Sequence, residues 1–265
     1  MSRISILSQF EIRKFDNPPL FNDSERRDYF TIPSSVQSIL NNLANDGNKI
    51  GFVLQLGYFK ATNKFYSEFY QGDATYVAGQ LGLSNSNIEY ADRTRRNHRQ
   101  EILKLLEFNN LDIEFFEANI ANMVSKQMHP RKIIFAMMDT LKQRPMEVPN
   151  YDKFVRTITK YINNFEQDLS SRIENNITNS QHALLKSLTD SENNIITKFK
   201  TINQSVKPIK IKQSVSGFVI IKNLYHELAD LIGKLDLSSA ATKYYATWVI
   251  KSKTAQLNGI TDNNI

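Results

Sequence analysis

Arg93, Arg95, Arg96, His98, Arg99 and Lys104 crowd into one stretch opposed only by Asp92 and Glu101. Cations at that density suit the phosphates of a nucleic-acid backbone, where each neutralised phosphate releases condensed counterions. The arginine fork also matches phosphate oxygens two at a time. Just before it, Ser84, Asn85, Ser86, Glu89, Tyr90 and Arg93 offer hydroxyl, amide, carboxylate and guanidinium groups that can bond phosphates or base edges. A second basic stretch holds Lys126, His129, Arg131, Lys132, Lys142 and Arg144 against Asp139 alone. Lys126, Arg131 and Lys132 extend the candidate DNA-contacting set, although a solvated helix pair accounts for them equally well. Lys198, Lys200, Lys207, Lys210 and Lys212 surround Pro208 and read as a basic connector along a phosphate line or across a minor groove.

Catalytic chemistry has no comparable foothold. The sequence carries no Gly-x-Gly-x-x-Gly and no Gly-x-x-x-x-Gly-Lys-Ser/Thr phosphate loop. His98, His129, His182 and His226 are scattered, with no pair at i+3 or i+4 to grip a metal from one helix. There is no cysteine, which excludes disulfides, thiolate zinc sites and cysteine nucleophiles. The His-x-x-Arg of a tyrosine recombinase is missing, and the acidic pairs Asp112 with Glu114 and Glu114 with Glu117 read as ordinary helix charge. No catalytic residue, metal ligand or cofactor is expected in this chain.

Positioning the arginines falls to a corner between two helices. Ala78 is small enough for a helix crossing, Gly82 can take the positive φ of a tight turn, and Ile88 and Ala91 supply the inner face of a second helix. Val77, Leu81 and Leu83 fill the remaining inner positions. This is the spacing of a helix-turn-helix between Thr75 and Arg93. An ordinary two-helix corner has the same spacing, and the arginines that follow favour the DNA-reading version.

The rest of the chain also reads as helix. Phe154, Ile158, Tyr161, Phe165, Leu169 and Ile173 step by three or four, as do Leu224, Leu228, Leu231, Ile232 and Leu235. No proline lies between Pro149 and Pro208. Only Lys210 to Val219 hints at strand alternation. Helices are expected at 24–30, 34–45, 49–58, 74–81, 86–107, 113–126, 131–142, 152–176, 181–188, 192–202, 218–234 and 238–258. The fold class is all-α: helical bundles with helix-turn-helix-like units, in two or three small subdomains. Arg144 to Pro149 and Lys207-Pro208 read as linkers. They divide the chain into a DNA-binding region (1–147), a subdomain of long helices (148–206) and a C-terminal helical hairpin (207–265). Tyr244, Tyr245 and Trp248 read as core, as do Phe52, Phe59, Phe65, Phe69 and Tyr70.

Composition fits this picture. The 265 residues are 41% hydrophobic, enough for real cores, and the formal charge is +6. With a pI near 9.3 a polyanion is the favoured partner. No apolar run suits a membrane helix, and the first residues do not form a signal peptide, so the expected home is the cytoplasm, at the nucleoid, with no membrane partner.

Several of these segments, in order, resemble the amino-terminal region of transposases of the Tn-three group. Ile50-Gly51-Phe52-Val53-Leu54-Gln55-Leu56 resembles their Leu-Gly-Phe-Ala-x-Gln-Leu element, and Val77-Ala78-Gly79-Gln80-Leu81-Gly82 their Val-Ala-x-Gln-Leu-Gly. Tyr90 and the run Arg93 to Ile102 resemble their Tyr-x-x-Arg-x-x-Thr-Arg-x-x-His-x-x-x-Ile. Asp23 to Phe30 resembles the opening Glu-Arg segment, and Arg144 to Tyr151 a later Leu-Pro-x-Tyr, with Val148 where leucine is usual. The resemblance is strong from Phe21 to Tyr151 and thinner beyond. It implies recognition of terminal inverted repeats in double-stranded DNA. It also implies that strand chemistry belongs to a ribonuclease-H-like domain with an Asp-Asp-Glu divalent-metal site, outside this chain, which is then a fragment or truncated form. A homodimer of the full-length form is compatible with it. The alternatives are a non-catalytic helical interaction module, a transposition regulator and, least favoured, a stand-alone enzyme.

Overall fold

Ser8 and Glu11 exchange hydrogen bonds between side chains and backbone amides, at 3.3 and 2.9 Å, and this reciprocal cap opens α1 (Gln9–Asp16). Asn22 and Glu25 repeat the device at α2 (Asp23–Phe30). α3 (Ser34–Asn41) follows Pro33, which pre-sets the entering backbone. α4 (Asp46–Thr62) opens on Asn45, whose side chain accepts the Asn48 amide at 2.8 Å, and closes on Asn63 in the left-handed region. Then come α5 (Gln71–Gln80), α6 (Asp92–Leu105), α7 (Ile113–Ser125), α8 (Pro130–Gln143), α9 (Tyr151–Asn176), α10 (Asn179–Thr189) and α11 (Ile211–Leu235). The computed structural model describes residues 6–84, 86, 88, 91–189, 211–243 and 245. Among the described residues every regular element is a helix, with one isolated bridge between Asn109 and Met146, so the protein is all-α.

The chain forms two compact units, residues 1–124 with 130–161, and residues 125–129 with 162–265. In the first unit α4 is the central element. Every residue from Ile50 to Phe59 is buried, as an all-round apolar helix requires. α2, α5 and α6 pack on it. Gly57 makes the α2 contact possible, since a Cβ there would run into the Phe30 ring. Phe21, Phe30 and Tyr58 form a ring cluster with centroids 5.4–5.6 Å apart. Beneath it Asp73 on α5, almost wholly buried, accepts from the Tyr58 hydroxyl at 2.5 Å and from Arg26 Nε at 2.7 Å. A buried carboxylate persists only when paired like this. Phe116 and Ile120 of α7, Ile133 and Met137 of α8, and Phe154 and Ile158 of α9 are also fully buried, and the Phe116 and Phe154 rings meet edge-on at 5.1 Å.

α1 is held by Lys64. Its ammonium sits 3.7 Å over the Phe15 ring, donates to the Phe15 carbonyl, and lies 3.5 Å from Asp16. Burial lowers this lysine to about 8. Asp16 also accepts the Tyr151 amide at 2.9 Å, and the Tyr151 hydroxyl accepts the Ile6 and Leu7 amides. In the second unit Arg172 donates to the Leu235 carbonyl at 3.0 Å, Gln181 to the Glu227 carbonyl at 3.3 Å, and Gln127 to the Asp236 carbonyl at 3.0 Å.

Three expectations change. The helix expected from Ser86 begins at Asp92. The described part of the strand-like hint, Ile211 to Val219, falls in α11, which starts at Ile211 rather than Phe218. The Arg144–Pro149 break is packed, not a free linker: the Asn109 amide donates to the Pro145 carbonyl at 2.7 Å, and the Val148 amide to the Asn63 carbonyl at 2.8 Å. The expected helices at 192–202 and most of 238–258 lie outside the described residues, as do Lys198, Lys200, Lys207, Lys210, Tyr244 and Trp248.

Candidate nucleic-acid interface

The first half of the helix-turn-helix spacing is realised. Ala78 is buried at 3% exposure, and Gly82 takes φ +68° as α5 ends. The Leu83 amide donates back to the Ala78 carbonyl at 2.9 Å, completing a glycine-centred helix stop. The second half differs. Leu83, Ser84, Ser86, Ile88 and Ala91 are all non-helical. Ser and Asn side chains compete for backbone hydrogen bonds and disfavour helix, and the run from Ser84 to Asn87 consists of nothing else. Ser86 instead accepts from Gln71 Nε2 at 2.7 Å, while Leu83 and Ile88 lie against the core. Ser84 and Ser86 therefore do not sit on a recognition helix. Asn85, Glu89 and Tyr90 lie outside the described residues.

α6 begins at Asp92 and carries its arginines in two ways. Arg93 and Arg96 are exposed. Arg95, Arg96 and Arg99, at i, i+1 and i+4, converge on a cavity of about 200 Å³ that Gln55, Phe65, Tyr66 and Ser67 close from the other side. The far wall is the connection from α4 to α5. Gln55 pins it from inside the core, donating to the Tyr66 carbonyl at 2.7 Å and accepting the Tyr66 amide at 3.3 Å. Arg99 stacks over Phe65 at 5.3 Å and pairs with Glu147, a carboxylate only 8% exposed. Glu147 also accepts the Leu111 amide at 3.2 Å. Arg96 Nε reaches the Asp92 carbonyl at 3.4 Å, and Arg95 Nη1 lies 3.9 Å from the Asp92 carboxylate. Asp92 is 87% exposed, so water screens what it offsets. The cavity wall thus carries three arginines on a braced frame.

His98, expected among the phosphate contacts, is not at this surface. It is 3% exposed, edge-on to Phe52 at 5.2 Å, and burial lowers it to about 4. The neutral imidazole belongs to the core, on the same α6 face as Ile102, one helical turn on. In the second basic stretch Lys126 is exposed in the turn after α7, and Lys132 is exposed on α8. Arg131 on α8 grips Glu11 of α1 with both ends of its fork. That bond, with the Ser8 amide, holds the Glu11 carboxyl well below the usual range. Among the described residues no group of three or more His, Asp and Glu side chains could hold a metal. Nor is any helix there long and apolar enough to cross a membrane.

A recognised sequence domain covers α1 to α8 and the first part of α9. The domain of unknown function DUF4158 matches residues 6–161, more than half of the 265-residue chain. The chain belongs to this family. No curated protein matches it. The DUF4158 match ends where the first compact unit ends, at Tyr161, so the cavity and its whole frame lie inside the family's domain.

Sequence reasoning passed over Gln55, Phe65, Tyr66, Ser67 and Glu147. Gln55 did carry a signal, as an amide within the apolar run Ile50 to Leu56 that must be satisfied once buried. Glu147, an acid between two prolines, carried a weaker one.

Proposed function

We propose that this DUF4158 domain binds double-stranded DNA through α6, as the end-recognising domain of a transposase resembling those of the Tn-three group. The observation that supports it most is the convergence of Arg95, Arg96 and Arg99 on one braced cavity beside the exposed Arg93. Guanidinium groups fixed before binding lose little freedom when they meet a phosphate. The ordered sequence elements from Phe21 to Tyr151 add the transposon end as target, and the net charge of +6 agrees in sign. With the recognition helix starting at Asp92, sequence reading rests on Arg93 and the residues before it, and phosphate contact on Arg95, Arg96 and Arg99. Lys132, exposed in the same unit, extends the footprint. The chain binds; strand cutting and joining belong to a metal-dependent domain elsewhere in the transposase.

The test is fluorescence anisotropy with duplexes carrying the transposon's terminal inverted repeat and with scrambled duplexes, across a salt series. Preference for the repeat and a steep salt slope are expected. Equal or absent affinity for both duplexes at moderate salt overturns the reading. A helical interaction module is the second reading, favoured by the pairing of Arg99 with Glu147 and Arg131 with Glu11, as on a purely structural charged face. Under it, Arg93→Ala and Arg96→Ala leave partner binding unchanged and no duplex affinity appears.

A further inference from the structure

We infer that the cavity between α6 and the α4–α5 connection is a subsite for a single tetrahedral oxyanion, a phosphate group seated among Arg95, Arg96, Arg99 and Ser67. The inference deepens the DNA-binding reading and rests on it for the source of the phosphate. Size comes first. At about 200 Å³ the cavity is below the roughly 300–1,000 Å³ of small-molecule sites, yet it has room for several waters or one hydrated oxyanion. A cofactor or a whole nucleotide does not suit it; one phosphate does.

Charge comes second. Arg95, Arg96 and Arg99 line one small space, and Arg99 is paired with the buried carboxylate of Glu147. Glu147 binds Arg99 and the Leu111 amide together, which fixes Arg99 in place. Arginine forks with a neighbouring hydroxyl are the donor set that tetrahedral oxyanions select.

Rigidity comes third. The opposite wall carries Phe65, Tyr66 and Ser67, with the Tyr66 peptide held at both its amide and its carbonyl by Gln55. Gln55 is 1% exposed and projects from the fully buried face of α4. Phe65 in turn stacks on the core residue Phe59 at 4.5 Å and lies under the Arg99 guanidinium at 5.3 Å. Both walls are therefore anchored to the same central helix, and their spacing is set before any ligand arrives. An ordinary solvated basic face lacks such a second wall.

The experiment is a titration of the intact chain with inorganic phosphate, followed by amide NMR at Tyr66, Ser67 and Arg96, against sodium chloride at matched ionic strength. Saturable shifts at these amides are expected with phosphate and not with chloride. Arg96→Gln, and separately Arg95→Gln, should weaken the phosphate response about tenfold or more while the rest of the spectrum stays native. Absence of saturable shifts, an equal response to chloride, or variants that respond like the parent overturn the subsite. Duplex DNA supplies the second arm. If duplex moves the same amides and displaces inorganic phosphate, the bound group is a backbone phosphate. If phosphate binds and duplex leaves these amides unmoved, the subsite stands, the source is free phosphate, and the DNA-binding reading of this cavity fails. If duplex shifts other α6 amides while inorganic phosphate shifts none, the subsite fails and DNA binding survives.

Discussion

Arg99 and Glu147, 48 residues apart in the chain, form a part-buried ion pair that joins α6 to the segment between α8 and α9. The same Glu147 oxygen accepts the Leu111 amide, so one carboxylate ties three segments together. Glu147→Gln keeps an acceptor for Leu111 and removes the charge. Arg99 is 39% exposed and partly solvated, so stability should fall by only about 1–2 kcal/mol in urea unfolding. If the DNA reading holds, duplex affinity should rise, because a negative charge beside the cavity is gone. A fall in affinity with the fold intact would show that Glu147 is needed for positioning more than it opposes binding.

Gly57→Ala tests the α2–α4 contact. The added methyl would meet the Phe30 ring and lie 3.0 Å from the Tyr29 carbonyl oxygen. Helix propensity favours alanine by up to about 1 kcal/mol, but overpacking costs about 1–3 kcal/mol. A lower melting temperature is expected; an unchanged or raised one would mean that α2 slides away without cost.

Tyr58→Phe removes the hydroxyl that Asp73 accepts at 2.5 Å and leaves Arg26 as its remaining partner. Burial already pushes the Tyr58 phenol up, so the hydroxyl acts as a donor throughout the ordinary pH range. The substitution should cost about 1–3 kcal/mol. Chemical denaturation of parent and variant measures it, and equal midpoints would mean that this hydrogen bond to Asp73 does not stabilise the fold.

His98 makes stability depend on pH. Burial lowers it from 6.5 to about 4, so between those values the unfolded chain binds a proton that the folded chain refuses. Its contribution is complete above about pH 6.5 and is lost as pH falls toward 4. The unfolding free energy of the parent should therefore drop on that side, by at most about 3 kcal/mol from this group. His98→Gln should flatten the slope between pH 6.5 and 5. An identical slope in parent and variant would assign the effect to other groups.

Arg93→Ala with Arg96→Ala should weaken duplex binding and lower the slope of log affinity against log salt by roughly 1 for each phosphate that is no longer neutralised. Both side chains are exposed, so melting should shift little. Weaker affinity with an unchanged salt slope would point to base-edge recognition instead.

Much of the fold was legible from spacing alone. The steps from Phe154 to Ile173 became the long α9, and the apolar run from Ile50 became the buried α4. Gly82 marked its turn because the left-handed backbone region favours glycine. The start of α6 was misplaced because helix-corner spacing constrains Ala78, Gly82, Ile88 and Ala91 without saying whether the chain between them coils. The Ser-Asn run from Ser84 to Asn87 resolved that locally. His98 was misread among the arginines because charge density along a sequence does not show which face of α6 turns inward.

The sequence by itself determined an all-α chain, the local signals of caps and turns, and a basic segment from Arg93 to Lys104. These follow from short-range physics: apolar periodicity, the φ preferences of glycine and proline, and the charge of neighbouring side chains. Only the tertiary structure decided that Arg95, Arg96 and Arg99 share a cavity with Phe65, Tyr66 and Ser67, that Gln55 braces its wall, and that Glu147 holds Arg99. Those relationships join residues far apart in the chain. They arise because α4 must be covered on every side, and covering it brings α6 and the α4–α5 connection together.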